Sequence, residues 1–344
     1  MKLIKTEDAV GHVLCHDITQ IIPGEKKGPV FKKGHIVEKE DIPVLLSVGK
    51  EHLYVWEKKP GIWHEDEAAG ILKDICMGSS KEMTATDPSE GKITIMADID
   101  GLLKIRRDAL RAVNSLGEMM IAAVHGDFAV KKGQAVAGTR IIPLVIEEDK
   151  MIKAREAAGG KPILSMLPFN KLKTGIVTTG SEVYKGIIKD AFGPVLREKL
   201  SEYDVPVTGQ KIVSDEKQGI TKAVMEFIND GAEMVLVSGG MSVDPDDCTP
   251  GAIKDTGADI VSYGAPVLPG AMFLLAYLNK DGKNIPILGL PGCVMYAKRT
   301  IFDLVLPRIL AKDMLTADDL ASYGEGGMCL NCENCVFPNC GFGK

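Results

Sequence analysis

The segment MVLVSGGMS at residues 234–242 decides the fold class. Met234 to Ser238 have the pattern of a strand buried on both faces, and two glycines follow it directly. Outward from this strand, strands and helices are predicted to alternate: strands at 174–179, 205–213, 272–278 and 286–290, and helices at 190–203, 216–230 and 294–310. Such alternation indicates parallel pairing. The sequence therefore predicts an α/β fold, with a three-layer, mostly parallel sheet over residues 171–312.

The chain before this part has a different pattern. Residues 1–88 mix short strand-like stretches with short helices, and residues 89–165 have the pattern of a small α+β or β-rich module. A glycine-rich break at 159–162 follows. After the α/β part, residues 322–344 contain a glycine hinge and a cysteine-rich tail. Four regions are therefore predicted: 1–88, 89–165, 171–312 and 322–344.

Composition excludes several classes of protein. In 344 residues, 45% are hydrophobic and 26% charged, so large cores can form and general disorder is excluded. The net charge of −6 argues against nucleic acid as a partner. The start of the chain lacks the apolar stretch of a signal peptide, and the apolar runs are too short to cross a bilayer. We therefore predict a cytoplasmic protein with no membrane partner. In the cytoplasm, thiols stay reduced.

Three loops follow predicted strand ends in the α/β part. The first loop is TTGSE at 178–182, the second is SGGMSVDPDDCTP at 238–250, and the third is LPGC at 290–293. Their glycines leave backbone N–H groups free to approach an anion. Thr249 and Pro250 have the pattern of a helix start. These features predict a site for a phosphate-bearing ligand, and the alternative is that the glycines only form turns.

Acidic residues accompany these loops. Asp244, Asp246 and Asp247 lie in the second loop, and Asp190 and Asp215 precede predicted helices. Carboxylate oxygens near a phosphate are typical Mg²⁺ ligands, while helix capping is the alternative role for Asp190 and Asp215. All six histidines precede residue 126, so a histidine base within 171–310 is excluded. This pattern favours metal-assisted transfer.

The three loops, in this order, resemble the molybdopterin-binding domain of molybdenum-cofactor biosynthesis. The segment IKDAFGP at 188–194 adds to the likeness, and residues 9–18 resemble the opening of the molybdopterin molybdotransferases. The resemblance implies a protein that binds molybdopterin or adenylated molybdopterin and inserts molybdate, releasing AMP. It also implies a divalent cation, Mg²⁺, and a homodimer.

The loops and the resemblance together assign the site residues. Asp190, Asp215 and Asp247 are predicted to be catalytic, and Asp244 and Asp246 to contact Mg²⁺. The predicted molybdopterin contacts are Thr179, Gly180, Ser181, Glu182, Ser238, Gly239, Gly240, Met241, Ser242, Thr249, Pro250, Pro291 and Gly292.

Two departures from the family pattern keep other functions open. Ser181 stands where the family has an acid, and the family's N-terminal S-A-M-D-G-Y segment is absent. A non-catalytic carrier or sensor of the cofactor, whose tail contacts a partner molybdoenzyme, is therefore the second hypothesis. Asp247 before Thr249-Pro250 also resembles the related adenylyltransferases, which is the third hypothesis.

The tail carries four closely spaced cysteines, Cys329, Cys332, Cys335 and Cys340. Two C-x2-C steps that share a cysteine approach the bacterial ferredoxin run, which has three residues before its fourth cysteine. Structural zinc sites more often separate two C-x2-C pairs by a dozen or more residues. An iron–sulfur cluster is favoured, and zinc or free thiols are the alternatives. Because the tail is too short to bury a core, we expect a metal or a partner to order it.

Overall fold

In the computed structural model, residues 2–22, 26–55, 60–242, 244 and 247–344 are described. The chain divides into two units. Unit 1 comprises residues 1–98, 105–124 and 133–165, and unit 2 comprises residues 99–104, 125–132 and 166–344. Within the described residues, no helix is both long enough and apolar enough to cross a membrane.

The first 165 residues form short strands and four helices among the described ranges. The strands are β1 (Lys2–Lys5), β2 (Ile18–Ile22), β3 (Lys26–Phe31), β4 (His52–Val55), β5 (Ile62–His64), β6 (Met83–Ala85), β7 (Lys92–Ala97), β8 (Gly101–Ile105), β9 (Met119–Ala123), β10 (Ala129–Val130), β11 (Ala135–Ile141) and β12 (Val145–Glu147). The helices are α1 (Asp41–Ser47), α2 (Glu65–Met77), α3 (Arg107–Asn114) and α4 (Glu148–Ala157).

The largest sheet of unit 1 has the order β6-β7-β11-β9 and is antiparallel throughout. Alternate residues of β7 are buried, which is the pattern of a strand with one face on a core. The apolar stretch at 141–146 is not one strand: β11 ends at Ile141 and β12 begins at Val145. Pro143 lies in the gap, and a proline cannot donate a ladder hydrogen bond.

Glu65, at the start of α2, makes the stability of the chain depend on pH. Its side chain is buried, and burial, together with the charge of Asp66, raises its pKa to about 7 from 4.5. The folded chain therefore keeps this proton where the unfolded chain releases it, so stability falls as pH rises between these two values. We expect a loss on the order of 3 kcal/mol, measured by urea unfolding at about pH 5 and about pH 8. Glu65→Gln should abolish most of this dependence; an unchanged pH profile in that variant would contradict the assignment.

The rest of the chain carries longer strands and helices. The strands are β13 (Leu164–Pro168), β14 (Thr174–Thr179), β15 (Val207–Val213), β16 (Met234–Ser238), β17 (Asp259–Tyr263), β18 (Leu274–Lys280) and β19 (Lys283–Leu290). The helices are α5 (Ser181–Tyr184), α6 (Phe192–Ser201), α7 (Lys217–Asn229), α8 (Thr249–Asp255), α9 (Ile301–Leu310) and α10 (Ala317–Ala321).

The main sheet of unit 2 has the order β15-β14-β16-β19-β18-β17. Its first four strands are parallel, and every residue of β14 and β16 is buried. Helices α6 and α9 pack on one face and helices α7 and α8 on the other. The predicted three-layer, mostly parallel α/β fold is confirmed.

Two details of this sheet differ from the sequence prediction. Strand β17 was not predicted, because its residues are half-exposed at the sheet edge and lack the continuous apolar run of the central strands. Strand β18 pairs antiparallel with both β17 and β19, whereas the alternation rule predicted parallel pairing. Strands β18 and β19 are joined by a tight turn at residues 281–282, and so short a connection permits only antiparallel pairing.

The predicted long helix at 294–310 is wrong in its first part. The chain forms a short 3-10 turn at Gly292–Met295, and α9 begins only at Ile301. Thr300 caps α9: its side chain accepts a hydrogen bond from the Phe302 N–H, and its own N–H donates to Asp303 Oδ2 at 2.7 Å. Capping places the helix start at this threonine.

Candidate functional site

The three predicted loops meet at one edge of the main sheet. They follow β14, β16 and β19, which are adjacent and parallel, so their carboxyl ends lie side by side. Ligands of open α/β sheets bind at this edge. Among the predicted contacts, Pro291 is buried while Gly292 is exposed, and Glu182 is exposed beyond the first loop.

Gly239 and Gly240 bring the second loop close to the end of β14. Gly239 has a φ of +92°, and a Cβ there would lie 2.4 Å from the Thr179 carbonyl oxygen. Gly240 has a φ of +56°, and a Cβ there would lie 2.9 Å from Thr249 Oγ1. Any other residue would strain this turn and force the strands' ends apart. The two glycines are therefore required by the shape of the site.

Two buried hydroxyls at this edge lack a hydrogen-bond partner among the described residues. They are Thr179 Oγ1, at the end of β14, and Ser238 Oγ, at the end of β16. Both residues are buried, Ser238 completely. An unsatisfied buried polar group costs about 1–3 kcal/mol, so such groups are rare unless a ligand or water completes them. These hydroxyls point to a polar ligand at this edge.

Two of the predicted catalytic aspartates hold the loops through backbone hydrogen bonds. The Ser181 N–H donates to Asp215 Oδ2 at 2.7 Å, which joins the first loop to the segment after β15. The Ser242 N–H donates to Asp247 Oδ2 at 2.7 Å within the second loop. The Asp247 N–H in turn donates to the Asp244 carbonyl at 2.9 Å. Asp246, the other predicted Mg²⁺ contact, lies outside the described residues.

Asp190 has a different environment from the other two aspartates. Its carboxylate accepts hydrogen bonds from the N–H groups of Phe192 and Gly193, the first residues of α6. It also accepts one from Gln210 Nε2 at 2.6 Å, and that amide donates to Thr178 Oγ1 at 2.9 Å. Asp190 therefore caps a helix and anchors it to β15, which is the structural role the sequence left open. Gln210 was missed; its only signal was a polar residue within a strand.

Thr249 lies inside the helix, although the sequence predicted it as the cap. Cys248 takes the capping position, and α8 begins with Thr249 and Pro250. The Thr249 hydroxyl donates to the Gly239 carbonyl at 2.8 Å instead of capping α8. This hydrogen bond from Thr249 therefore joins the end of the second loop to its beginning.

Residues around Met241 complete the second loop. Met241 is buried against Gly289, where a Cβ would lie 2.8 Å from the Met241 sulfur. The Tyr263 hydroxyl, which the sequence did not single out, donates to the Met241 carbonyl at 2.9 Å. Burial and the charge of Asp247 raise the pKa of Tyr263. Burial also raises the pKa of Cys293, which favours the neutral thiol.

The described residues contain no group of three or more histidine, cysteine, aspartate or glutamate side chains close enough to hold a metal ion. The four tail cysteines are free thiols that line one cavity. A larger cavity, of about 610 Å³, lies elsewhere and has none of the predicted site residues in its walls. Its lining includes Leu172, Ala232 and Ile285, near the amino ends of the strands.

The α/β part of the chain matches a known protein family. Residues 175–311 match a family described as a probable molybdopterin binding domain. Residues 175–311 therefore carry a domain of this molybdopterin-binding family. The family predicted from the three loops is confirmed, and the matched residues carry all three loops of the molybdopterin-binding domain. Residues 3–57 match a second family, described as a domain of unknown function.

Curated relatives of the molybdopterin-binding domain catalyse different steps. The molybdopterin molybdenumtransferase of Synechococcus elongatus is 25% identical over 198 residues, 53% of this chain and 46% of that protein. The molybdopterin adenylyltransferase of Pyrococcus furiosus is 34% identical over 92 residues, 27% of this chain and 54% of that protein. The chain thus spans about half the length of these two relatives. Among solved structures, the tungsten cofactor synthesizing protein MoaB from Pyrococcus furiosus matches with a TM-score of 0.35 and 22% identity, covering 42% of this chain and 97% of that one.

Proposed function

We propose that the chain binds adenylated molybdopterin and inserts molybdate into it, releasing AMP. The observation that carries this proposal is the pair of buried hydroxyls without partners, Thr179 Oγ1 and Ser238 Oγ, at the edge where the three loops meet. A ligand with phosphate and pterin oxygens supplies the missing hydrogen bonds. The close approach permitted by Gly239 and Gly240 lets backbone N–H groups reach the same ligand.

Each polar residue of the proposed site has a separate role. Thr179 and Ser238 bind the ligand, and Asp215 positions the first loop through its hydrogen bond to Ser181. Asp247 positions Ser242 through its hydrogen bond, and its carboxylate would help to hold a divalent cation at the phosphoanhydride bond that breaks when AMP is released. We do not propose a catalytic role for Asp190, because its carboxylate already accepts hydrogen bonds from the first N–H groups of α6 and from Gln210.

The second loop suits Mg²⁺ by the chemistry of its donors. Mg²⁺ usually binds one or two carboxylates together with substrate phosphates and water, so it does not require a preformed cluster of three protein ligands. Asp244 and Asp247 are the described carboxylates that would hold it, with Asp246 beside them in sequence. When bound, Mg²⁺ would neutralise charge on the phosphoanhydride.

The test is AMP release from adenylated molybdopterin when molybdate is added to the full chain. We expect release that requires molybdate, together with formation of molybdenum cofactor, measured by reconstitution of an apo-molybdoenzyme. Tight binding without AMP release would contradict the transferase and support a carrier or sensor. Release of pyrophosphate from ATP with free molybdopterin would support an adenylyltransferase instead.

Asp247→Asn tests the charge on the second loop without removing its hydrogen bond. The amide oxygen still accepts from the Ser242 N–H, so we expect the loop to keep its shape. The rate of AMP release should fall by about 10²-fold, because a neutral amide would hold Mg²⁺ less tightly than a carboxylate. Asp255→Asn is the matched control, because Asp255 lies at the end of α8 in an exposed pair with Lys217. Equal rates in the two variants would overturn the role of Asp247.

Three further implications of the resemblance stay proposals: a homodimer, a molybdoenzyme that receives the product, and a cytoplasmic location. A chain that releases its product to another protein would be expected to form a transient complex with it. Size-exclusion chromatography with light scattering, with and without an apo-molybdoenzyme, measures both kinds of association.

A further inference from the structure

The cysteine tail is hydrogen-bonded to the molybdopterin-binding domain at one end and packs against it at the other. The Leu268 N–H donates to the Gly327 carbonyl and the Cys329 N–H to the Leu268 carbonyl, each at 2.8 Å. At the other end, Phe342 is 4% exposed within the core that includes Leu304 of α9. The domain itself holds the two ends of the tail, and the expectation that a metal or a partner orders the segment between them stays a prediction.

The segment between these ends surrounds one cavity of about 190 Å³. All four cysteines line it: Cys329, Cys332, Cys335 and Cys340. None forms a disulfide, Cys332 and Cys335 are exposed, and the other two are half-buried. Phe337 and Phe342 form part of its apolar wall. The structure thus brings four free thiols to one concave surface.

The size of this cavity distinguishes between a single ion and a larger group. Tetrahedral zinc requires four sulfurs about 2.3 Å from one point. No three such ligands converge in this way within the described residues. The cavity, about 190 Å³, is larger than an engineered cavity of about 150 Å³ that takes up benzene. Four thiols around a space of this size suit a compact cluster of several atoms.

The sequence departs from the bacterial ferredoxin run in having four residues, rather than three, before the fourth cysteine. The position of Cys340 in the structure shows what this departure means. In the bacterial ferredoxin run, the fourth cysteine binds a different cluster from the first three. Here Cys340 lines the same cavity as the first three cysteines, despite the extra residue that precedes it. One cluster can therefore take all four ligands from this tail.

The cavity also provides compensating charge. Arg299 lies in its wall, with its guanidinium carbon 5.1 Å from the centre of the Phe337 ring. Lys298 Nζ donates to the Glu333 carbonyl at 2.8 Å, between Cys332 and Cys335. Four thiolates and a cluster carry net negative charge, and the Lys298 ammonium group offsets part of the cost of gathering it, whereas Arg299 is already paired with Glu202 and Asp303.

We propose that the tail binds one [4Fe–4S] cluster through Cys329, Cys332, Cys335 and Cys340. The cluster occupies the cavity between Arg299 and the Phe337 and Phe342 rings. Arg299 belongs to the segment that links the third loop to α9, so the cluster lies on the molybdopterin-binding domain rather than on a detached tail. The proposal is independent of AMP release, since it concerns bound iron.

The experiment is anaerobic purification of the full chain, followed by iron, sulfide and zinc analysis and a visible spectrum. We expect about four iron and four sulfide per chain and a broad visible absorbance that dithionite bleaches. If the purified chain contains little metal, reconstitution with ferrous iron and sulfide should restore the same stoichiometry. About one zinc per chain without sulfide, or no cluster after reconstitution, would overturn the proposal.

Variants test the ligands separately from the fold. Cys332→Ser and Cys335→Ser change exposed thiols, so we expect both variants to fold and to lose most of the iron and sulfide. Glu333→Gln, between them, and Cys76→Ala, a buried cysteine of α2, are the controls that should keep the cluster. Loss of iron in the controls as well, or its retention in both serine variants, would contradict the assignment.

Discussion

Asp303→Ala is expected to destabilise the chain by about 3–5 kcal/mol, the usual cost of breaking one side of a buried ion pair. Asp303 lies in the first turn of α9 and is almost completely buried, as is its partner Lys199. Lys199 Nζ donates to both carboxylate oxygens of Asp303, at 2.7 and 2.9 Å. The variant would leave that ammonium group buried without its counter-charge.

Asp303 organises more than this one pair. Arg299 donates to its Oδ1 at 2.8 Å, and the Thr300 N–H donates to its Oδ2 at 2.7 Å. Lys199 also donates to the Lys298 carbonyl at 3.0 Å. One carboxylate therefore caps α9 and holds the segment 298–300 that follows the third loop. We expect its loss to disturb that loop as well as to lower stability.

Urea unfolding of three proteins measures the effect: the wild type, Asp303→Ala and Lys199→Met. Lys199→Met should cost clearly less than Asp303→Ala, because Asp303 keeps Arg299 and the Thr300 N–H as partners. Glu202→Gln is the control, since Glu202 meets Arg299 at an exposed position. A loss below about 1 kcal/mol in Asp303→Ala would contradict this account.

This buried cluster also illustrates what the sequence did not predict. Lys199 and Asp303 are 104 positions apart, and nothing in the sequence near either residue identifies the other as its partner. Their pairing depends on α6 and α9 packing on the same face of the sheet. Long-range charge pairing has no local signal, so a single sequence does not reveal it. The same reason explains why Gln210 and Tyr263 were missed.

The features that were predicted correctly have strong local signals. Strand β16 is an apolar run up to Ser238, β14 contains the β-branched residues Thr, Ile and Val, and a glycine follows each strand. Their place in a parallel sheet follows from the helices between them. The start of α9 was predicted too early because residues 294–297, Val-Met-Tyr-Ala, are also apolar. Only the Thr300 and Asp303 capping box, a weaker signal, marks the true start.

Gly239→Ala is expected to weaken molybdopterin binding by at least about tenfold, which corresponds to about 1.4 kcal/mol. Gly239 has a φ of +92°, and its added methyl group would lie 2.4 Å from the Thr179 carbonyl oxygen and 2.7 Å from Thr179 Oγ1. The carbonyl belongs to β14, an interior strand of the sheet whose residues are all buried. The second loop must therefore shift away from the hydroxyl that we assign to the ligand.

Two other glycines provide matched controls. Gly292, in the third loop, has no positive φ, and a methyl group added there would meet no atom within 4 Å, so Gly292→Ala tests a methyl group in the site without the collision. Gly219, within α7, also has open space, and Gly219→Ala should stabilise the chain by about 0.5–1 kcal/mol through helix propensity.

Equilibrium titration of each variant with molybdopterin, followed by pterin fluorescence, gives the affinities, and urea unfolding gives the stabilities. If the steric argument is correct, Gly239→Ala loses affinity while Gly292→Ala loses less and Gly219→Ala loses none. A Gly239→Ala protein that binds as tightly as the wild type would mean that the ligand does not depend on the approach of the second loop to Thr179. In that case the unpartnered hydroxyls of Thr179 and Ser238 would not belong to the binding site.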